Sequence, residues 1–520
     1  MRLMSESRSA GGTARGSEMN QQATALDGAQ ASPAARGHVL TLGDKLLYGV
    51  GATASGVKAR GLSAFLMLFY NQVIGLPAAW VGGAIMVALI FDALVDPLVG
   101  QISDNTRSPW GRRHPFMYAS ALPLGLALFL LWSPPGSWSK EALLAYMVVI
   151  SLSVRFLDTF FELPHTALLA ELTQDYDQRT TLVAFRAFFR IAGGHLMTLI
   201  AYKYFLQPSA EYPVGVLNRD GYAQYGLFAA LLVFFTILVS SVGTHRHVSR
   251  LYRPPQRKAT LGAMAREVRQ TLSNRAFAIL LISGTFLSLA TGLKGALELY
   301  FEAYFWEFTP DQLALITAGG IVASAMGVTL APIVSRRFGK KRGALVVWTI
   351  SLTLACLPIM LRLAGVMPPN GSDALLYIMI GESVFQGTAA LTTGILLSSM
   401  IADVVEDSEV KTGRRSEGLL FSADNLFKKM VSGLGVFVAG LLLTAAQFPQ
   451  GAKPGHVEPE VIRSMAMIYL PTVITLYLAA IATLFAFRLD RSSHQENLRK
   501  LAVTRSETAD PDQQAPSGVL

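Results

Sequence analysis

Two aspartates four residues apart, Asp92 and Asp96, stand at the end of an apolar stretch in which Ala79 to Phe91 carries no charge. In a helix that spacing puts both carboxylates on one face, one turn above the other. At bilayer depth a charged side chain costs roughly 2.5–3.5 kcal/mol on insertion scales, so acids retained there are functional by default. A carboxylate pair supplies the oxygen ligands that a hard cation such as Na+ requires, and either acid could instead hold a proton. Further on, Arg155, Asp158 and Glu162 fall three and four apart and form one polar stripe on an otherwise apolar helix. Lys58 with Arg60, Glu382 with Gln386, and Lys428 with Lys429 also interrupt apolar runs and should face a cavity rather than lipid. Lys294 and Glu298, four apart, are expected to pair with each other. Of the two adjacent lysines, one is expected to face inward and the other to snorkel to the interface.

A second device follows the aspartates in chain order. Asp104, near a helix end, is surrounded by Arg107, Arg112 and Arg113. This set suits a cytoplasmic charge relay, a conformational latch of Asp104, Arg112 and Arg113 that holds two halves together when the protein faces outward.

The elements that position these groups follow from hydropathy. The 520 residues are 52% hydrophobic and only 15% charged, too few charges for a water-soluble surface of this size. Twelve apolar segments are long enough to span a bilayer: 45 to 73, 79 to 103, 115 to 133, 140 to 170, 180 to 207, 222 to 244, 276 to 305, 311 to 335, 342 to 366, 374 to 403, 418 to 446 and 461 to 488. The chain is therefore expected to be an all-α, multi-pass integral protein of the plasma (inner) membrane. Lys and Arg crowd the loops after even-numbered spans, which places both termini in the cytoplasm. The net charge of +9 is thus a topology signal, and no nucleic-acid partner is expected. Residues 1–40 and 491–520 read as disordered cytoplasmic tails, and 246–275 as a central cytoplasmic loop. That loop separates a six-helix half at 41–245 from another at 276–490, with a substrate site expected between them. Gly111 to Arg113 and Gly339 to Lys341 are short basic loops at matching places in the two halves, a weak sign of duplication.

Cys356 is the single cysteine, so no disulfide or cysteine-based metal site can form within one chain. No His cluster, nucleophile motif or Gly-rich phosphate loop stands at a membrane face, which argues against an enzyme.

Asp92-Ala-Leu-Val-Asp96-Pro97, with Gly100, Asp104, Arg107-Ser-Pro-Trp110-Gly111-Arg112-Arg113 and Pro115, resembles the glycoside-pentoside-hexuronide:cation symporters of the major facilitator superfamily, typified by melibiose permease. Glu162-Leu-Pro164, Asp175 to Arg179, Asp403, Thr412-Gly413-Arg414 and Glu417-Gly418 extend the resemblance, which covers about residues 42 to 490. It implies the major facilitator fold, twelve transmembrane helices in two six-helix halves. It also implies that Asp92 and Asp96 bind the coupling cation, with Thr159 at a position that can offer a hydroxyl. Glu162 and Arg186 match substrate-holding positions, Arg190 one turn on is an alternative to Arg186, and Lys429 matches a lysine that faces the acids across the cavity. Lys58 and Asp158 join the expected substrate set.

Three positions depart from the pattern. Val95 replaces a polar residue common in sodium-coupled members and has no oxygen to give. Gly56 and Thr166 stand where melibiose permease grips its sugar with an acid and an aromatic ring. The expectation is a cation-coupled (H+ or Na+) secondary symporter for a sugar, glycoside or uronide, acting as a monomer among membrane lipids and needing no cofactor besides the co-transported ion. Lysophospholipid symport on the same scaffold and a non-transporting membrane sensor are the alternatives. An anionic substrate would suit Lys58, Arg60 and Arg186.

Overall fold

The computed structural model describes residues 40–173, 175–248, 274–412 and 417–487. Both tails, nearly all of the central loop, and Gly413 and Arg414 lie outside the described residues. Twelve long helices are present among the described residues: α1 Leu42–Leu68, α2 Ala78–Asn105, α3 His114–Trp132, α4 Lys140–Leu172, α5 Tyr176–Ile200, α6 Arg219–His245, α7 Arg275–Tyr300, α8 Pro310–Phe338, α9 Lys340–Leu363, α10 Asp373–Thr412, α11 Glu417–Ala445 and α12 Pro459–Phe485. Each coincides with one expected span. Eleven are long and apolar enough to cross a membrane by length and composition. The exception is α1, where Lys58 and Arg60 interrupt a segment already rich in small residues.

Local chemistry sets the helix ends. Thr41 and Asp44 form a capping box at the start of α1, as Thr309 and Gln312 do for α8, satisfying backbone N–H groups that the first turn leaves open. Asp44 also accepts from Arg246 and, at 2.6 Å, from His247, tying the start of α1 to the chain leaving α6. The helix α10 runs past its expected end at residue 403 to Thr412. At 1.5 Å per residue it is longer than the roughly 30 Å hydrocarbon layer, so its last turns project beyond it.

Helices α1, α5 and α7 each end in one π-helical turn, at Phe69–Val73, Ala201–Phe205 and Phe301–Phe305. After α1, Ile74 N–H donates to Phe69 O at 2.9 Å and Leu76 N–H to Tyr70 O at 3.0 Å. After α7, Trp306 N–H donates to Phe301 O and Phe308 N–H to Glu302 O, both at 2.9 Å. Gly75 and Glu307, at matching places in these turns, both take positive φ, 82° and 53°. The backbone thus repeats between the halves where the side chains differ.

The halves meet through α1 with α7, α2 with α11, and α5 with α8. The α2–α11 seam is tight because glycines line it: a Cβ at Gly440 would lie 2.5 Å from Ala78 O. Hydrogen bonds close one end of the seam. Tyr300 Oη donates to Asn71 Oδ1 at 2.6 Å, Gln72 Nε2 to Pro449 O at 3.2 Å, and Ala452 N–H to Gln72 Oε1 at 2.9 Å. Lys203 pairs with Asp311 at 2.7 Å, and Lys140 donates to Gln450 at 2.9 Å. This is the end away from the basic loops.

Candidate functional site

Between the halves lies a cavity of about 1010 Å³, walled by α1, α2, α4, α5, α7 and α11 with parts of α9, α10 and α12. The helix α2 delivers Asp92 and Asp96 to it, and Pro97 follows at once. A proline there removes one helical N–H and frees a carbonyl one turn back. Across from it α4 presents Arg155, Asp158, Thr159 and Glu162, the stripe expected from their spacing. The helix α11 brings Lys429 from the other half.

Each aspartate divides its two oxygens. On one side Lys429 forms an ion pair with Asp96 and lies 3.2 Å from Asp92 Oδ2, while Arg155 Nη1 lies 3.4 Å from the same oxygen. On the other side the Thr159 hydroxyl lies 3.3 Å from Asp92 Oδ1, 3.1 Å from Asp96 Oδ1 and 3.0 Å from Arg155 O. A hydroxyl carries one proton and can donate to only one of these acceptors at a time. On the Thr159 side one donor therefore faces three acceptor oxygens, a chemistry that suits a proton or a hard cation. Val95, 9% exposed, contributes no oxygen.

Other expected residues are present but already engaged. Lys58 forms a buried ion pair with Asp158, whose Oδ1 has no hydrogen-bond partner in the protein. Arg186 lies 3.7 Å from Glu162. Thr166 lines the cavity, with its hydroxyl donating to Glu162 O at 2.7 Å. Gly56 packs against α5, where a Cβ would lie 2.0 Å from Arg190 O, so the side chain missing from this position has no room.

Two expectations need correction. Lys294 and Glu298 do not form an ion pair; Glu298 reaches across the seam to Arg60 at 3.5 Å instead. Lys428 does not snorkel free, because Asp424, one turn earlier on the same helix, holds it at 2.5 Å. Lys58, Arg60 and Arg186, the residues that would suit an anionic substrate, each lie beside an acid, Asp158, Glu298 and Glu162 in turn.

The residues of the proposed latch do come together, but around an acid that sequence reasoning missed. Arg113 pairs with Asp104, and Glu171 at the end of α4 accepts from Arg112 at 2.6 Å and from Arg113 at 2.9 Å. Ser103 accepts from Arg113 at 2.9 Å. All of these residues belong to the first half, so these contacts brace α2, α3 and α4 and do not bridge the halves. In the second half Lys340, in the corresponding loop, pairs with Asp403 on α10 at 2.5 Å. The two basic loops that echo each other in sequence therefore make the same kind of contact. The Asn71–Gln72 seal was also missed, although two amides inside an apolar run were a visible signal.

A family model described as MFS/sugar transport protein matches residues 47–491. An uncharacterized symporter of Synechocystis sp. is 28% identical over 78% of this chain and 86% of its own. A putative glycoside/cation symporter of Escherichia coli, YagG, is 24% identical over 90% of this chain and 96% of its own. Among solved structures, the xylose transporter XylE from E. coli in an inward open conformation aligns with a TM-score of 0.55 at 13% identity, covering 88% of this chain and 97% of that one. At that identity the structural likeness speaks to the fold alone.

Proposed function

The chain belongs to the MFS/sugar transport protein family, and from that premise we propose that it is a cation-coupled symporter of the inner membrane that moves a sugar, glycoside or uronide by alternating access. It is an integral multi-pass membrane protein and a transporter, not an enzyme. The observation that carries the coupling is the Asp92, Asp96 and Thr159 oxygen cluster, whose opposite side is occupied by a lysine from the other half.

In this reading an arriving Na+ or H+ binds at Asp92 and Asp96, with Thr159 offering its hydroxyl. The ion takes over the charge compensation that Lys429 supplied, and Lys429 is released toward substrate. Glu162 and Arg186 present a carboxylate and a guanidinium suited to paired hydroxyls, while Lys58 and Asp158 hold α1 against α4 beneath them. With the basic loops in the cytoplasm, the hydrogen-bonded end faces outward and the conformation is closed to the outside. The brace of Asp104, Arg112, Arg113 and Glu171 then keeps the cytoplasmic end of the first half rigid as the halves rock.

Cation and substrate bind with one shared coupling free energy. In proteoliposomes with an imposed Na+ or H+ gradient, Asp92→Asn and Asp96→Asn should each abolish concentrative uptake while the protein stays folded. Uptake with unchanged ion dependence in either variant would end this reading.

A further inference from the structure

Glu298 is an acid to which the spacing along the chain and the folded structure assign different bases. Lys294 stands four residues before it on α7, on the same helix face. Glu298 nevertheless accepts from Arg60 Nη1 on α1, at 3.5 Å across the seam between the halves. That contact is loose. It is one long hydrogen bond, Arg60 Nε is buried without a partner, and 29% of the arginine and 32% of the glutamate side chain are exposed. The charges around the pair are uneven. In the second half Glu298, Glu302 and Glu382 share the field of Lys294, which among the described residues makes salt-bridge contact with none of them. Arg60 is the cation that the first half adds, and it also faces Glu302 and Tyr202, while His195 on α5 faces both Arg60 and Glu298. When the halves part at the hydrogen-bonded outer end, α1 withdraws Arg60 and Glu298 keeps only the lysine of its own helix. A carboxylate left in a protein wall without a counter-charge is costly. Space for the lysine to move is present, since a Cβ at Gly295, next to it on the cavity wall, would meet nothing within 4 Å.

We propose that Glu298 changes partner during transport: Arg60 of the first half holds it while the outer end is closed, and Lys294 of its own helix takes it when that end opens. This rests on the alternating-access reading and adds Lys294 to it as a positioning residue that works through Glu298. The long-range contact is satisfied in one conformation and the local spacing in the other. Arg60 biases the protein toward the closed outer end, and Lys294 biases it toward the open one. Each is a partly exposed ion pair of modest strength, so the two states stay close in free energy, as a carrier that visits both requires. Glu298 is never left bare, and the opening avoids the cost of stranding its charge.

The test is the distribution of distances between spin labels at Ser137 and His456, one on each half at the outer end, in the purified full chain with Cys356 replaced and without substrate or ion gradient. Arg60→Gln should shift the population toward the open outer end by about two- to fivefold, the range expected of a partly exposed ion pair. Lys294→Gln, alone and added to Arg60→Gln, should shift it toward the closed end by a similar factor. Lys294→Arg, which keeps the charge, should stay near the parent. In a Glu298→Gln background Lys294→Gln should add little, because the carboxylate it serves is gone. A lysine that merely stabilised the fold would lower the melting temperature without moving the distances, and Lys294→Met supplies the same loss of charge should the glutamine variant not fold. A shift of Lys294→Gln toward the open end, no shift in any variant, or a full Lys294→Gln shift in the Glu298→Gln background, as expected if Glu302 or Glu382 were its partner, would each overturn the exchange. No substrate or coupling ion enters the measurement, so such a result leaves the symporter reading standing, and that reading falls separately on uptake with unchanged ion dependence in Asp92→Asn or Asp96→Asn.

Discussion

Replacing Lys429 by glutamine tests the coupling site directly. The ammonium touches Asp96 and lies 3.2 Å from Asp92 Oδ2, with 35% of the side chain exposed. At that separation two unit charges attract by about 5 kcal/mol at an effective dielectric of 20 and by about 1 kcal/mol in bulk water. A third of the side chain meets cavity water, so the attraction that an arriving cation must replace is about 1–3 kcal/mol after screening. Lys429→Gln should accordingly tighten cation binding by about 5- to 150-fold. Titration calorimetry with Na+ and Li+, or the pH dependence of thermal stability if the ion is a proton, reads this directly. Concentrative uptake should fall in the same variant, because the group that exchanges with the ion is gone. Lys429→Arg, which keeps the positive charge, should retain most of the competition. A folded Lys429→Gln protein that bound the cation no more tightly than the parent would refute the exchange.

Tyr300→Phe removes a 2.6 Å hydrogen bond across the seam. At a net 0.5–1.5 kcal/mol, it should shift the balance away from the closed end by about 2- to 12-fold, read as distance distributions between spin labels at Ser137 and His456 with Cys356 replaced; unchanged distributions would show that the bond does not hold the seal. Asp158→Asn leaves Lys58 buried without its counter-charge and should cost about 3–5 kcal/mol, whereas the double variant Lys58→Met with Asp158→Leu should recover most of the lost melting temperature. Gly56→Ala forces a methyl group against the Arg190 carbonyl and should cost about 1–3 kcal/mol or more in thermal unfolding. Gly295→Ala, where a Cβ meets nothing within 4 Å, is its control.

The twelve helices were legible because nearly every span is apolar over a full bilayer thickness, and six start at side-chain caps such as Thr41 with Asp44 and Thr309 with Gln312. The polar stripe on α4 was legible from spacing, and the pairing of Asp92 and Asp96 with Thr159 and Lys429 from resemblance. Long-range choices between charged partners were not. Sequence spacing favours the local pair Lys294 with Glu298, yet Glu298 finds Arg60, 238 residues away, because α1 and α7 cross at the cavity. The role of Glu171 was hidden for the same reason, since nothing in a linear reading brings the end of α4 beneath the loop between α2 and α3. Lys428 shows the reverse error, a local acid one turn away that was passed over in favour of the interface. The π-helical ends of α1, α5 and α7 leave no compositional mark, so those spans simply looked long.

Gln72 and Tyr304 occupy corresponding places in the repeated turns that end α1 and α7, and Tyr304 Oη lies 3.4 Å from Gln72 Oε1. Residues so placed sit beside the pseudo-twofold axis that relates the halves. In an ancestral homodimer of single halves, this position would have met its own copy across the axis. One type of side chain would then have had to complement itself. Fusion into one chain lifts that restriction, and a glutamine opposite a tyrosine is a combination that no symmetric dimer could place there. The seal is thus a point where the two halves carry different chemistry on one repeated backbone turn.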